Sequence, residues 1–234
     1  MHQFSHQNFL INHYAELAST NDLALELIKN NQAMSNQVIL ADFQTKGKGR
    51  IGRNWVSPKG NLYFSVILKL PNLENSAQLS FVAACALGEA LNRQEINYKW
   101  PNDLLFNGKK IAGILLEKDA DFVVIGIGVN LVSHPENTNY PATNLKECGL
   151  DFDAVKLLKD FLDQLAILKQ KWQDFGFKPI RNLWIEKAFN LGKEIKVSSL
   201  AKSPTGIFVN LDDDGNLILQ ANGEEILISS GEIF

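Results

Sequence analysis

Cysteine and histidine are scarce in this chain. Its 234 residues include two cysteines, Cys85 and Cys148, neither in a C-x-x-C pair nor beside a histidine, so neither a zinc site nor a disulfide framework is indicated. Cys85 lies in the apolar run 81–87, where a buried structural thiol is the ordinary role. The four histidines are His2, His6, His13 and His134. Three fall in the first turns of the chain and one in a loop, without metal-ligand or catalytic spacing. Long hydrophobic runs are missing as well. No segment approaches the ~20 residues of a membrane span, and MHQFSHQNFL has no charged region leading into an apolar one, as a signal peptide would. The expectation is a soluble, cytoplasmic protein with no membrane partner. Nor is there an excess of positive charge. The net charge of −3 gives no global basicity to bind nucleic acid.

With 45% apolar and 21% charged residues the composition is ordinary, so the information lies in pattern. Ser19, Thr20, Asn21 and Asp22 precede Leu23, Leu27 and Ile28, which reads as a capped amphipathic helix. Residues 37–43 read as a strand, 44–54 as a glycine- and cation-rich loop, 61–69 as a buried strand and 76–93 as a mainly buried helix. Short strands follow over 96–100, 103–106, 111–117 and 122–130, with turn signals at Asn107-Gly108 and Asp119-Ala120-Asp121. Their close spacing predicts a mostly antiparallel or mixed sheet instead of a doubly wound parallel one. A loop over 131–141 and helices over 153–175 and 180–189 come next. Strand-like runs at 194–198, 206–211, 217–220 and 225–228, split by Asp214-Gly215 and Asn222-Gly223, predict a small β-barrel. The expected fold is α/β in the α+β sense: a largely antiparallel mixed sheet with flanking helices over 1–189, and a small barrel over 190–234.

The densest chemistry lies in Gln44-Thr45-Lys46-Gly47-Lys48-Gly49-Arg50-Ile51-Gly52-Arg53-Asn54-Trp55. Four cations fall between Lys46 and Arg53, and no acidic residue occurs over 43–73. Gly47, Gly49 and Gly52 allow close backbone approach to an anion. Arginine grips carboxylate or phosphate oxygens with two bonds, and Trp55 offers a surface to a ring. The set suits an anionic ligand with an aromatic part, such as a nucleotide. A solvated basic loop or a nucleic-acid patch is the competing reading. GKGRIGR has neither P-loop nor dinucleotide-fingerprint spacing.

Two further segments carry polar groups among apolar strands. In Lys99-Trp100-Pro101-Asn102-Asp103, the proline removes a donor and Asn102 and Asp103 either face a cleft or cap a turn. In the strand that follows Gly108-Lys109, Lys110 either snorkels or is aimed at an anion. In Val124-Ile125-Gly126-Ile127-Gly128-Val129-Asn130, two glycines weaken a strand unless something must come close. Asn130 reads either as a turn residue or as a group facing a ligand.

Taken together and in this order, STN, Q-x-x-G-x-G-R-x-G-R-x-W with Lys48 at one usual arginine, KWPND, GKKIAGIL and IGIGVN resemble the catalytic region of biotin protein ligases, from about Tyr14 to the C-terminus. The resemblance implies a fold like that of class II aminoacyl-tRNA synthetases and biotin ligases, with a C-terminal SH3-like barrel. It implies that Ser19, Thr20, Asn21, Gln44, Gly47, Lys48, Gly49, Arg50, Lys110 and Gly113 surround biotin. Arg50, Arg53, Trp55, Asn102, Lys110 and Asn130 would surround ATP, with Mg²⁺ on its phosphates. Lys110 and Arg50 would bridge carboxylate and α-phosphate, and Asp103 would orient or deprotonate the acceptor lysine of a biotin carboxyl carrier protein. At Lys48 the charge is kept and the planar fork is lost. No helix-turn-helix precedes the catalytic region, so the resemblance is to the monofunctional members that bind no DNA; an exposed sheet edge could support a homodimer. A lipoate–protein ligase of similar fold and a non-catalytic nucleic-acid-binding module are the alternatives.

Overall fold

In the computed structural model, which describes residues 1–136, 138, 140–198 and 203–233, the frame is one eight-stranded sheet. Its strands are β1 (His2–His6), β2 (Phe9–Tyr14), β3 (Gln37–Ala41), β4 (Leu62–Lys69), β5 (Ile96–Lys99), β6 (Asp103–Phe106), β7 (Lys109–Asp119) and β8 (Phe122–Val129). They lie in the order β1-β2-β3-β4-β8-β7-β6-β5. Only β2 and β3 pair in parallel, Leu10 opposite Gln37, so the expected mixed, largely antiparallel sheet is what forms. The first two strands differ from the sequence reading, which left residues 1–13 without an element. His13 and His6 are strand residues whose rings lie 2.6 Å from Asp42 and Asp163.

Period-two alternation sends alternate side chains of the central strands to opposite faces. On one face Ile39, Ile67 and Val124 pack beneath Ala24 and Ile28 of helix α1 (Thr20–Lys29). On the other, Val38, Leu40, Val66, Leu68, Val123 and Ile125 join the main core with α2 (Leu79–Leu91) and α3 (Ala154–Phe175). Helix α2 is apolar nearly all round because the sheet, α3 and α4 (Lys178–Glu186) enclose it, which is the circumstance that permits such a helix. It starts three residues later than the sequence suggested, after a short 3₁₀ turn at Ser76–Gln78. Asp153 caps α3 through its carboxylate on the Lys156 N–H, 2.7 Å away.

The last segment forms a five-stranded antiparallel sheet, ordered β12-β11-β10-β9-β13, from β9 (Glu194–Ser198), β10 (Thr205–Leu211), β11 (Leu217–Ala221), β12 (Glu224–Ile228) and β13 (Glu232–Ile233). The two-residue β13 has no sequence signature of its own. Residues 199–202 and 234 of the expected barrel, and 137 and 139 of the expected loop, lie outside the described residues. This sheet is joined to the larger one through Trp184, which is 1% exposed. Its ring stacks on Tyr98 at 6.0 Å and meets Phe81 and Phe208 edge-on at 5.5 and 6.5 Å. The turn at Asp214-Gly215 docks alongside. Trp100 donates to the Gly215 carbonyl at 3.0 Å and Gln78 to that of Asp213 at 2.8 Å. A Cβ at Gly215, whose φ is +83°, would sit 2.6 Å from the Phe81 ring, so the glycine permits both the turn and the contact.

Candidate active site

On the α1 face of the sheet, the strand positions that would carry side chains over the middle of β7 and β8 are glycines. Gly113 and Gly128 are cross-strand partners, with Gly126 two residues before Gly128. A Cβ at Gly126 would lie 2.1 Å from Asn21 Oδ1, one at Gly128 2.3 Å from Trp55 Nε1, and one at Gly113 2.9 Å from the same indole. Glycines inside a strand call for something that must come close. The answer is the side chains of Asn21 and Trp55, laid flat on the strands as opposite ends of one floor.

At the Asn21 end the groups are neutral and buried. Ser19 caps α1 by accepting from the Asp22 N–H at 3.3 Å. Gln44 accepts from the Thr20 N–H at 2.8 Å and donates to Ser57 at 3.0 Å. The Ser65 hydroxyl, fully buried, stands 2.7 Å from Thr20 Oγ1 and 2.6 Å from Asn21 Oδ1. Asn21 donates in turn to the Glu117 carboxylate at 2.8 Å.

At the Trp55 end the groups are charged. A β-bulge between β6 and β7, opposite Leu104 and Leu105, lets Ile111 and Ala112 both face the main core. The extra residue turns Lys110 and Gly113 to the same face despite their odd spacing, a re-aiming typical of bulges. Lys110 Nζ then lies 2.7 Å from Asp103 Oδ1, with 13% of its side chain exposed. It sits 5.4 Å from the Trp55 ring centre and 4.8 Å from that of Tyr140. The cation is aimed inward and does not snorkel. Arg50 donates to Asn102 at 3.2 Å, and Asn102 is itself fixed by donating to the Ile114 carbonyl at 2.6 Å. Burial holds the Arg50 guanidinium below its ordinary pKa, against the opposing pull of Asp103, and an arginine stays charged in a protein all the same. Burial likewise lowers Lys99. Lys48 is ion-paired with Asp22, and its hydrogen bond to that carboxylate raises its pKa. Arg53 is ion-paired with Glu232 of β13. The loop itself holds no acid, yet Lys48 and Arg53 meet acids brought from elsewhere by the fold.

These two ends form one continuous cleft. Of the residues singled out in the sequence, Ser19, Thr20, Asn21, Gln44, Lys48, Gly49 and Arg50 line it, as do Arg53, Trp55, Asn102, Asp103, Lys110 and Gly113. Two do not. Gly47 lies behind the loop, where a Cβ would sit 2.4 Å from both Ser57 Oγ and the Trp55 carbonyl oxygen; its smallness serves the loop's own packing. Asn130 donates to the Thr143 carbonyl at 3.1 Å and lines an adjoining pocket, whose walls include Trp55, Lys110 and Tyr140. Glu232 and Tyr140 also line the cleft, and Ser65 and Glu117 support it; none carries a local sequence signal, since each reaches the site through pairing distant in the chain. The Trp55 indole N–H is buried without a hydrogen-bond partner among the described residues, an uncommon state that calls for an acceptor.

Set beside known proteins, residues 14–130 match the model of the biotin/lipoate A/B protein ligase family, and 191–234 match that of the biotin protein ligase C-terminal domain. A biotin–[acetyl-CoA-carboxylase] ligase of Paracoccus denitrificans is 37% identical, over 93% of this chain and 98% of its own length. The bifunctional ligase/repressor BirA of Bacillus subtilis is 34% identical, over 88% of this chain and 68% of its own. Among solved structures, the biotin protein ligase of Aquifex aeolicus in complex with biotin and ATP superposes with a TM-score of 0.85 at 33% identity, covering 96% of this chain and 97% of that one. The chain belongs to the biotin/lipoate A/B protein ligase family.

Proposed function

We propose that this chain is a biotin protein ligase: it activates biotin with ATP to biotinyl-5′-AMP and passes the biotinyl group to a lysine of a biotin carboxyl carrier protein. The observation that carries the reading is the single cleft in which a neutral, hydrogen-bonding end and a cationic end meet at Arg50 and Lys110. Relatives named as biotin ligases, one of them bound to biotin and ATP, support it. The acceptor named for the Paracoccus relative is an acetyl-CoA carboxylase.

In the first step a biotin carboxylate oxygen attacks the α-phosphorus. The bond from that phosphorus to the bridging oxygen breaks and pyrophosphate leaves. Two anions must be brought together, so charge neutralisation and alignment dominate. Arg50 and Lys110 stand where carboxylate and α-phosphate would meet. Asn21, Thr20 and Gln44 hold the neutral rings of biotin, beside Ser19, Lys48, Gly49 and Gly113. The nucleotide takes the Trp55 end and the adjoining pocket, with Asn102, Arg53 and Asn130 around it and the unpaired indole N–H as a donor. Among the described residues no group of three metal-ligating side chains occurs, and the cleft's acids Asp103 and Glu232 are paired with cations. Mg²⁺ is therefore counted with its nucleotide, as the substrate MgATP.

In the second step the acceptor amine attacks the biotinyl carbonyl carbon, the bond to the phosphate oxygen breaks and AMP leaves. The amine must shed a proton. Once phosphate has taken over Lys110, the Asp103 carboxylate is released to receive it. Loop 46–54 closes over the mixed anhydride and keeps water out. The division at 189/190 and a cytoplasmic setting are part of the same reading. Incubating a biotin acceptor domain with this chain, biotin and MgATP should add the mass of one biotinyl group per domain, read by mass spectrometry. An unchanged acceptor, or equal transfer of lipoate, would overturn the assignment.

A further inference from the structure

The groups at the neutral end are linked in a row, and the row has a direction. Its far end is the carboxylate of Glu117, which can only accept hydrogen bonds. The amide of Asn21 must therefore turn its Nδ2 toward Glu117, at 2.8 Å; the flipped amide would set two acceptors against each other. That places Asn21 Oδ1, also only an acceptor, 2.6 Å from Ser65 Oγ. Ser65 has one proton and must give it to Asn21. Thr20 Oγ1, 2.7 Å from the same oxygen, can then bond only by donating its own proton to Ser65. Both hydroxyl protons in the row are committed, and Thr20, which lines the cleft, is left with lone pairs alone to offer a ligand there.

We propose that Ser65 is a positioning residue: with Asn21 and Glu117 it fixes the Thr20 hydroxyl as an acceptor toward the cleft, so that this end selects a ligand presenting an N–H there. The inference rests on the biotin reading, since the ureido ring offers two N–H groups. A free threonine hydroxyl would rotate and serve donor or acceptor alike, and would reject little. Committed by a buried row, it makes any ligand without the N–H leave an acceptor facing an acceptor, which is how a polar site discriminates strongly. Gly126 protects the arrangement from below, since a side chain there would collide with Asn21 Oδ1.

The test is biotin-dependent ATP–pyrophosphate exchange by the whole chain, with biotin and with its two cyclic carbamates, in which one or other ureido N–H is replaced by oxygen. For the native chain one carbamate should be at least about tenfold poorer than the other. Ser65→Ala should raise the KM for biotin about tenfold, the usual cost of losing one oriented buried hydrogen bond, leave the KM for ATP unchanged, and bring the two carbamates close together. Glu117→Ala, at a half-buried strand position, should do the same to a smaller extent by freeing the Asn21 amide. If Ser65→Ala fails to fold, the Glu117 variant alone decides. Native discrimination retained in either folded variant overturns the row while sparing the biotin reading. No biotin-dependent exchange in the native chain overturns both.

Discussion

The two ends of the cleft solve the problem of holding a ligand in opposite ways. At the Asn21 end the groups that line the cleft floor are mostly neutral, buried and already bonded to a neighbour, from Gln44 on the Thr20 N–H to Ser65 on Asn21, with the Glu117 carboxylate behind them. Nothing there has to change when a ligand arrives. At the Trp55 end the partners are ions that a better anion can replace: Asp103 on Lys110, and Glu232 on Arg53. A buried cation without a counter-charge is costly, and Asp103 supplies that counter-charge to the mostly buried Lys110. One end recognises by fixed geometry; the other stores charge for use in the reaction.

This contrast can be broken at its charged end first. Lys110→Ala should lower adenylate formation by about 10²–10³, the usual loss for one preorganised charge contact; near-normal pyrophosphate release would remove Lys110 from its role. Asp103→Ala should slow transfer from isolated biotinyl-AMP to the acceptor by about 10² and adenylate formation much less, measured by single-turnover mixing. The opposite ordering would make Asp103 a partner of Lys110 and no more. The glycines separate the ends cleanly. Gly128→Ala, which pushes on Trp55, should raise the KM for ATP about tenfold, and Gly126→Ala, which pushes on Asn21, should do so for biotin; equal effects on both substrates would mean that the floor moves as a unit. Smallest of all, raising ionic strength should increase the KM for ATP about threefold through screening and that for the singly charged biotin by less; a larger rise for biotin would reverse the assignment of the two ends.

Much of this site could be read before its geometry was known, because its parts are local. The helix start at Ser19, the cation-rich loop, the KWPND turn and the paired glycines of β8 are each a short run whose residue types carry their own reason. What escaped was whatever depends on pairing across the chain. Strand β1 is polar and β2 is short, with Asn12 and His13 among its apolar residues, and what holds β2 is its parallel pairing with β3. Glu232 sits in a two-residue strand positioned by β9. Ser65 is one polar position in an apolar strand, and only its neighbours on α1 give it meaning. Gly47 shows the converse: its motif is legible, while its space is filled by the loop's own backbone and Ser57.

The bulge opposite Leu104 and Leu105 makes the enzyme unusually dependent on counting. Without that one extra residue's worth of backbone, the odd spacing between Lys110 and Gly113 would put the two on opposite faces of β7, and the ammonium of Lys110 would point toward the greasy layer beneath α2.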